Sequence, residues 1–161
     1  MESITSLKNP KVQQWRDLKD RRGRKESGCF LVEGRKAVGE AIASGFAVEA
    51  LLVCDTADAS SALPAYLLPE HVMASVCDTK TPQGIAAVVR MRSEPVQGKL
   101  LVALDGVQDP GNVGTILRTA DAAGFDGLLL SQACADIYSP KVLRATMGSV
   151  FHLPAETCSL P

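Results

Sequence analysis

The segment from Asp105 to Asn112 has the composition of a ligand-binding loop, with two glycines, a proline and a closing asparagine. It follows the apolar run Lys99–Leu104, which suits a strand buried on both faces, and it precedes a helix predicted over Val113–Ala123. Ligands gather at the carboxyl ends of parallel strands, and the first turn of a helix offers unpaired N–H groups and a positive dipole. The loop therefore predicts an anion site, although Asp-Pro-Gly-Asn is also ordinary turn sequence.

Arg118 is the cation that the predicted helix would carry toward this loop. It follows Asn112 by six positions, so both side chains could reach the same end of the helix. Gly114 falls in the first helical turn, where a side chain would stand between the helix and a ligand or a neighbouring strand. The sequence matches neither the Walker loop nor the Gly-x-Gly-x-x-Gly dinucleotide fingerprint. From these residues alone, Arg118 is either a ligand-binding cation or an ordinary surface arginine.

Basic residues are concentrated at the start of the chain, where residues 1–36 contain ten lysines and arginines and five acidic residues. This segment carries a net charge of +5, whereas the whole chain of 161 residues carries −1. Such a segment is typical of proteins that bind polyanions, and the alternative is a solvated helix face with a soluble loop. Because Arg21–Lys25 is too charged to bury, we expect an exposed loop or helix end there.

The cysteine pattern indicates neither a disulfide framework nor a metal centre. The five cysteines are odd in number, no Cys-x-x-Cys pair occurs, and the two histidines have no ligand spacing to them. We therefore expect a reducing compartment, the cytoplasm, and a core position for Cys54. No apolar run approaches the ~20 residues of a membrane span, and the polar, basic N-terminus is unlike a secretory signal. The cysteines are Cys29, Cys54, Cys77, Cys134 and Cys158.

Alternating strand and helix patterns indicate an α/β fold. A turn-forming segment at 93–98 divides the chain into predicted domains 1–95 and 98–161. In the first domain, apolar residues at helical spacing predict helices at 12–18 and 35–44. The other elements expected there are strands at 29–32, 48–53, 72–76 and 85–91, and a weak helix or loop at 60–67.

The second domain has the pattern of a parallel sheet. Strands expected at 99–104, 127–131 and 150–154 alternate with helices at 113–123 and 140–147. This order, βαβαβ, predicts parallel strands joined by right-handed crossovers.

Two segments of this domain closely resemble the signature motifs of SpoU-type RNA ribose methyltransferases. Residues 107–120 are similar to the first motif, and residues 138–154 are similar to the second. Residues 1–92 resemble the small RNA-binding domain of the same family, which is similar to ribosomal protein L30e. The markers of that domain are Phe30–Gly34 and Thr81–Ile85. The resemblance therefore covers nearly the whole chain.

The resemblance implies an L30e-like RNA substrate-binding domain followed by the first βαβαβ part of an α/β-knot (SPOUT) methyltransferase domain. The implied activity is S-adenosylmethionine-dependent methylation of a ribose 2′-hydroxyl, in ribosomal RNA more than in transfer RNA. The family's catalytic arginine corresponds to Arg118, and the asparagine that positions it corresponds to Asn112. Because the pKa of arginine exceeds ~12, we expect Arg118 to bind a phosphate and stabilise alkoxide charge rather than to act as a base.

The resemblance also implies contacts with structured RNA and, in the full-length protein, a homodimer. Arg35 and Lys36, beside Gly34 at a predicted helix start, are expected to contact RNA. The helix with Lys141 and Arg144 contributes to the dimer or the RNA surface, or is a packed amphipathic helix with exposed cations. Nonspecific phosphate attraction is expected from Lys8, Arg21, Arg24 and Lys25.

The family's third motif, which forms the trefoil knot and most of the cofactor pocket, has no counterpart in the sequence. We therefore expect an incomplete methyltransferase domain, inactive as it stands, that binds S-adenosylmethionine weakly or not at all, and we assign no cofactor contact. An alternative is a non-catalytic RNA-binding module. A third option is an α/β protein that binds a phosphate ligand and is unrelated to RNA.

Overall fold

A mixed five-stranded sheet organises the first of the two units into which the chain divides, Met1–Met91, and the second unit starts at Arg92. The computed structural model describes residues 1–160. The strands of the first unit are β1 (Glu2–Ser3), β2 (Cys29–Glu33), β3 (Val48–Val53), β4 (Ala65–Leu67) and β5 (Ile85–Arg90). Its helices are α1 (Pro10–Asp17), α2 (Arg21–Ser27), α3 (Arg35–Ala43) and α4 (Glu70–Val76).

The sheet order is β1-β4-β3-β5-β2, in which β5 lies antiparallel between β2 and β3. Asn9 starts α1 by accepting the N–H of Lys11 at 2.9 Å. Val12, Trp15 and Leu18 are buried against this sheet, as their helical spacing predicts. The predicted α/β class is therefore confirmed in the first unit.

Two secondary-structure expectations for the first unit are wrong. Residues 72–76 belong to helix α4 and not to a strand, because Pro69 opens the helix and Val72, Met73 and Val76 then share one buried face. Residues 65–67, expected as part of a weak helix or loop, form strand β4, which pairs parallel with both β1 and β3. Short apolar segments of this kind fit either element, so the contacts decide.

The expectation that Arg21–Lys25 is exposed is wrong for Arg24. This segment begins helix α2, and Arg24 is only 3% exposed. Its Nη1 donates to the backbone carbonyls of Leu18 at 2.9 Å and Lys19 at 2.8 Å, just past the end of α1. Arg24 thus joins α1 to α2 and is withdrawn as an RNA contact, while Arg21 and Lys25 are exposed.

The second unit contains a parallel sheet in the order β6-β7-β8, which confirms the predicted strand direction. The third strand is not at 150–154, however. Gly148, with φ +95, starts a 3-10 turn over Ser149–Phe151, and the strand begins only after Pro154. The elements are β6 (Leu101–Leu104), α5 (Pro110–Ala122), β7 (Gly127–Leu130), α6 (Pro140–Thr146) and β8 (Ala155–Thr157).

Strand β6 is less buried than its apolar sequence predicts. Leu104 is buried, but Ala103 is exposed, because β6 is an edge strand of the sheet among the residues that the structure describes. The segment before it is held on the second unit, where the N–H of Val96 donates to Glu156 Oε2 at 2.8 Å. The division between units accordingly falls at Met91, a few residues before the predicted domain boundary.

Candidate active site and nucleic-acid interface

The loops that follow β6 and β7 are tied to each other at the carboxyl ends of these strands. The N–H of Gly106 donates to the Ser131 hydroxyl at 2.9 Å, and the N–H of Ala135 donates to the carbonyl of Val107 at 2.9 Å. These bonds fix the start of the loop that leads into α5. They also engage backbone groups that a ligand at this edge would otherwise contact.

Helix α5 begins inside the segment that the sequence predicts as loop. Pro110 is its first residue, and Asp109 caps it by accepting the N–H of Asn112 at 2.8 Å. Asn112 therefore lies in the first helical turn, with an exposed side chain. Because the chain's own carboxylate already occupies this helix end, the N-terminus is less open to an external anion than the loop composition indicates.

Gly114 allows α5 and α6 to approach closely. A Cβ at this position would lie 2.3 Å from the Cβ of Ala145 and 2.9 Å from its backbone carbon. The glycine is required by the neighbouring helix, and not by a ligand or strand as the sequence suggests. This contact brings the first and second signature segments together.

Arg118 meets the second segment at Met147, which sequence reasoning missed. The Arg118 Nη1 donates to Met147 Sδ at 2.8 Å. Met147 ends α6 with φ 51 and ψ 37, and it is the one non-glycine residue with positive φ in the part of the chain described. Its side chain is 64% exposed. The only sequence signal was its place before Gly148, which continues the left-handed turn.

Asn112 and Arg118 are carried on different faces of α5. Six residues of α-helix correspond to about 9 Å of rise and about 240° of rotation. Among the described residues, Arg118 is bonded to Met147 and not to Asn112. Lys141 and Arg144 are both exposed on the short helix α6, as expected of cations at a dimer or RNA surface and equally of solvated ones.

In the first unit, Gln83 fixes the start of α3. The N–H of Arg35, the first residue of the helix, donates to Gln83 Oε1 at 3.0 Å. Gly34 makes room for this contact, because a Cβ there would lie 3.1 Å from the same oxygen, and its φ of +90 favours glycine. The two markers of the resemblance in this unit are thus in contact.

Glu33 holds the loop between α4 and β5 from its other end. Its Oε1 accepts the N–H of Asp78 at 2.7 Å, and its Oε2 accepts the Thr79 hydroxyl at 2.7 Å. The loop is therefore anchored at Thr79 and at Gln83, with Lys80 exposed between them. Lys80 is a cation that sequence reasoning missed, although it directly precedes the Thr81–Ile85 marker.

Arg35 forms a bidentate ion pair with Asp58. Nη2 donates to Oδ2 at 2.9 Å and Nη1 donates to Oδ1. These hydrogen bonds raise the pKa of Arg35 and lower the pKa of Asp58. Lys36, the next residue, is exposed. We refer to Arg35, Lys36, Lys80 and Gln83 together as the Arg35 surface.

The cysteines are free thiols, and no group of metal-ligating side chains occurs within residues 1–160. Cys54, expected in the core, is half-buried and packs against the core of the first unit. Burial raises the pKa of the Cys77 thiol to about 12, which makes it unreactive. No helix of residues 1–160 has the length and apolarity needed to cross a membrane.

Comparison with known proteins identifies the family. Residues 9–87 match the MRM3-like substrate binding domain, and residues 99–160 match the SpoU rRNA Methylase family. The whole chain is 40% identical over 166 aligned residues to the 23S rRNA (guanosine(2553)-2′-O)-methyltransferase RlmP of Bacillus subtilis and covers 67% of that protein. The chain belongs to the SpoU family. The resemblance of the two motif segments is thereby confirmed.

Solved structures of this SpoU family share the fold. An rRNA methyltransferase from Sinorhizobium meliloti superposes with a TM-score of 0.87 at 34% identity, over 98% of this chain and 65% of that one. AviRb from Streptomyces viridochromogenes, in complex with AdoMet, gives 0.85 at 29% identity, over 96% of this chain and 64% of that one. The chain thus spans about two thirds of the length of these relatives.

Proposed function

We propose that this SpoU chain belongs to an enzyme that transfers a methyl group from S-adenosylmethionine to a ribose 2′-hydroxyl of ribosomal RNA. The observation that carries the proposal is the 40% identity to an enzyme named for 2′-O-methylation of 23S rRNA, which extends over 100% of this chain. In the division of labour we infer, residues 1–95 bind the RNA and residues 98–161 contribute to catalysis.

The Arg35 surface is the proposed RNA contact of the first unit. Arg35, Lys36 and Lys80 offer cations at one end of the sheet, and Glu33 and Gln83 hold the backbone beneath them. Structured RNA is recognised by shape and by exposed bases and phosphates, which suits a rigid cationic surface. Lys8, Arg21 and Lys25 would add attraction that depends little on RNA structure.

Arg118 is the proposed catalytic residue. A guanidinium has five N–H donors and stays protonated at neutral pH. It can therefore bind the phosphate beside the reacting ribose and stabilise negative charge on the 2′-oxygen. Asn112, also exposed on α5, is proposed to assist in orienting it.

No residue of this chain is assigned to the methyl donor. When bound, S-adenosylmethionine supplies an electrophilic methyl group. At the carboxyl ends of β6 and β7, however, Ser131 and Ala135 already engage the backbone groups of Gly106 and Val107. The N–H of Gly106 is therefore not free to contact the cofactor, and no step is derived from the bound group.

A homodimer in the cytoplasm is also part of the proposal, carried over from the family and from the free thiols. Lys141 and Arg144 on α6 are candidate contacts with the second copy or with RNA. Sedimentation of the full-length protein at twice its chain mass is expected, and a monomer of that protein at micromolar concentration would contradict the homodimer.

Deleting the gene and mapping 2′-O-methyl groups in ribosomal RNA by primer extension tests the activity. We expect one methylated ribose to disappear and to return when the wild-type gene is restored. If no ribose changes while the purified chain still binds RNA, the non-catalytic RNA-binding module is the better description.

Arg118→Lys tests the catalytic assignment in the same complementation. Lysine keeps the charge but loses the planar fork, so we expect most of the methylation to be lost. Arg16→Lys, an exposed arginine on α1, is the matched control and should restore methylation fully. Near-normal methylation with Arg118→Lys would remove Arg118 from the mechanism.

A further inference from the structure

The ion pair with Asp58 distinguishes Arg35 from the other cations of the Arg35 surface. The side chain of Arg35 is 64% exposed, whereas that of Asp58 is only 13% exposed. The carboxylate engages the two terminal nitrogens of the guanidinium, Nη1 and Nη2. An arginine has five N–H donors, so three of them, including the one on Nε, are left for another acceptor.

Both partners of this pair are attached to fixed backbone. Asp58 is the last residue of a 3-10 turn. Asp55 caps this turn, because its Oδ1 accepts the N–H of Ala57 at 2.9 Å. Arg35 begins α3, where Gln83 fixes its N–H. Because each side chain starts from an anchored position, the pair holds the guanidinium plane in one orientation at the surface.

The remaining edge of the guanidinium suits a phosphate. Its Nε–H and its outer Nη–H form a second parallel fork, and a phosphate accepts such a fork through two oxygens. The negative charges of Asp58 and Asp55 act on Arg35 and also repel polyanions that approach without this alignment. A folded RNA holds a phosphate at a set position, whereas a flexible strand does not.

We propose that Asp58 is a positioning residue that sets the specificity of RNA binding: it orients Arg35 toward a phosphate of structured RNA and lowers the affinity for unstructured polyanions. This inference rests on the proposed RNA-binding function. It assigns to an acidic residue a role in binding a polyanion, which charge alone would not indicate.

Binding of the purified chain to two RNAs tests the inference, with fluorescence anisotropy as the readout. The probes are poly(U) and a folded fragment of 23S rRNA around the nucleotide equivalent to the one in the name of the Bacillus subtilis relative. For Asp58→Asn we expect affinity for poly(U) to rise about threefold and affinity for the fragment to fall by a similar factor. The ratio of the two affinities then falls by roughly tenfold.

Glu49→Gln is the matched control. Glu49 also forms an exposed ion pair with an arginine, Arg90, and Arg90 ends β5 at the opposite end of the sheet from Gly34. The substitution removes the same amount of negative charge, but away from the Arg35 surface. It should therefore change the affinities for the two RNAs by the same factor and leave their ratio unchanged. In an Arg35→Gln background, Asp58→Asn should cause no further loss of affinity for the fragment, because the oriented group is already gone.

The outcomes separate the inference from the proposed function. Equal affinity ratios for Asp58→Asn and Glu49→Gln would overturn the inference alone. A rise in affinity for both RNAs with Asp58→Asn would also overturn it, because the Asp58 carboxylate would then only compete with RNA phosphates for Arg35. Failure of the wild-type chain to bind either RNA would overturn the RNA-binding function and the inference with it.

Discussion

At the scale of single residues, the contact between Arg118 and Met147 joins the proposed catalytic residue to a residue with a left-handed backbone conformation. Thioether sulfur is a weak acceptor, so the contact orients Arg118 without withdrawing its charge. A left-handed conformation at a residue other than glycine costs of order 1 kcal/mol or more, and such residues cluster at functional sites. Met147 has this conformation and also contacts the proposed catalytic residue.

Two substitutions of Met147 separate orientation from strain. Met147→Leu keeps the size and removes the acceptor, so we expect a severalfold loss in the methylation rate with little change in stability. Met147→Gly also removes the strain, so it should raise the free energy of unfolding by about 1 kcal/mol and still lower the rate. The measurements are chemical denaturation of the purified chain and 2′-O-methylation of ribosomal RNA after the variant gene is restored. An unchanged rate with Met147→Leu would make the contact irrelevant to catalysis.

Cys77 gives a prediction for pH dependence at the same scale. Burial raises its pKa in the folded chain from the ordinary thiol value of 9.0 to about 12. The unfolded chain therefore loses this proton first, and stability falls as pH rises from about 9 to 12, by at most about 1.4 kcal/mol per pH unit. Denaturation between pH 8 and 10.5 should show a smaller decline for Cys77→Ala than for the wild type. Cys158→Ala, at a half-buried thiol, should decline as the wild type does.

At the scale of elements, the contact of α5 with α6 brings the two signature segments together, and Gly114 is its critical residue. Gly114→Ala would place a methyl group 2.3 Å from that of Ala145, so we expect a loss of about 1–3 kcal/mol in stability. Gly39→Ala in α3 is the matched control, since nothing lies within 4 Å of its added Cβ. There the gain in helix propensity should stabilise the chain by up to about 1 kcal/mol. Similar effects of both substitutions would mean that the helices separate easily.

The elements that sequence patterns predicted well are those whose own residues determine them. Helix α1 was predicted from the helical spacing of Val12, Trp15 and Leu18, and β7 from its apolar run. In both elements, the residues that are apolar in the sequence are the ones that pack into the core. Residues 72–76 and 150–154 were assigned wrongly, because proline and glycine positions and tertiary contacts decide such short apolar runs. The Arg118–Met147 and Arg35–Asp58 contacts join residues 29 and 23 positions apart, which local patterns do not reveal.

At the scale of the whole molecule, a net charge of −1 conceals the basic residues through which the chain is proposed to bind RNA. Those cations form two sets of equal charge in the first unit. One set is Arg35, Lys36 and Lys80, in the Arg35 surface. The other is Lys8, Arg21 and Lys25, which are exposed near α1 and α2. Long-range attraction depends on both sets, whereas direct phosphate contacts depend only on the set that touches RNA.

Replacing each set in turn with glutamine therefore distinguishes direct contacts with RNA phosphates from long-range electrostatic attraction. Each single-strand phosphate contact contributes about −0.7 to the slope of log affinity for poly(U) against log salt, so three contacts would give a slope near −2. We expect the triple substitution of Arg35, Lys36 and Lys80 to remove most of this slope and most of the affinity for the 23S fragment. The triple substitution of Lys8, Arg21 and Lys25 should weaken binding at low salt and preserve the preference for the fragment, because screening already suppresses its contribution at 0.15 M salt. Equal losses of slope from both triples would mean that RNA is held by diffuse charge, and the Arg35 surface would then have no special role in recognition.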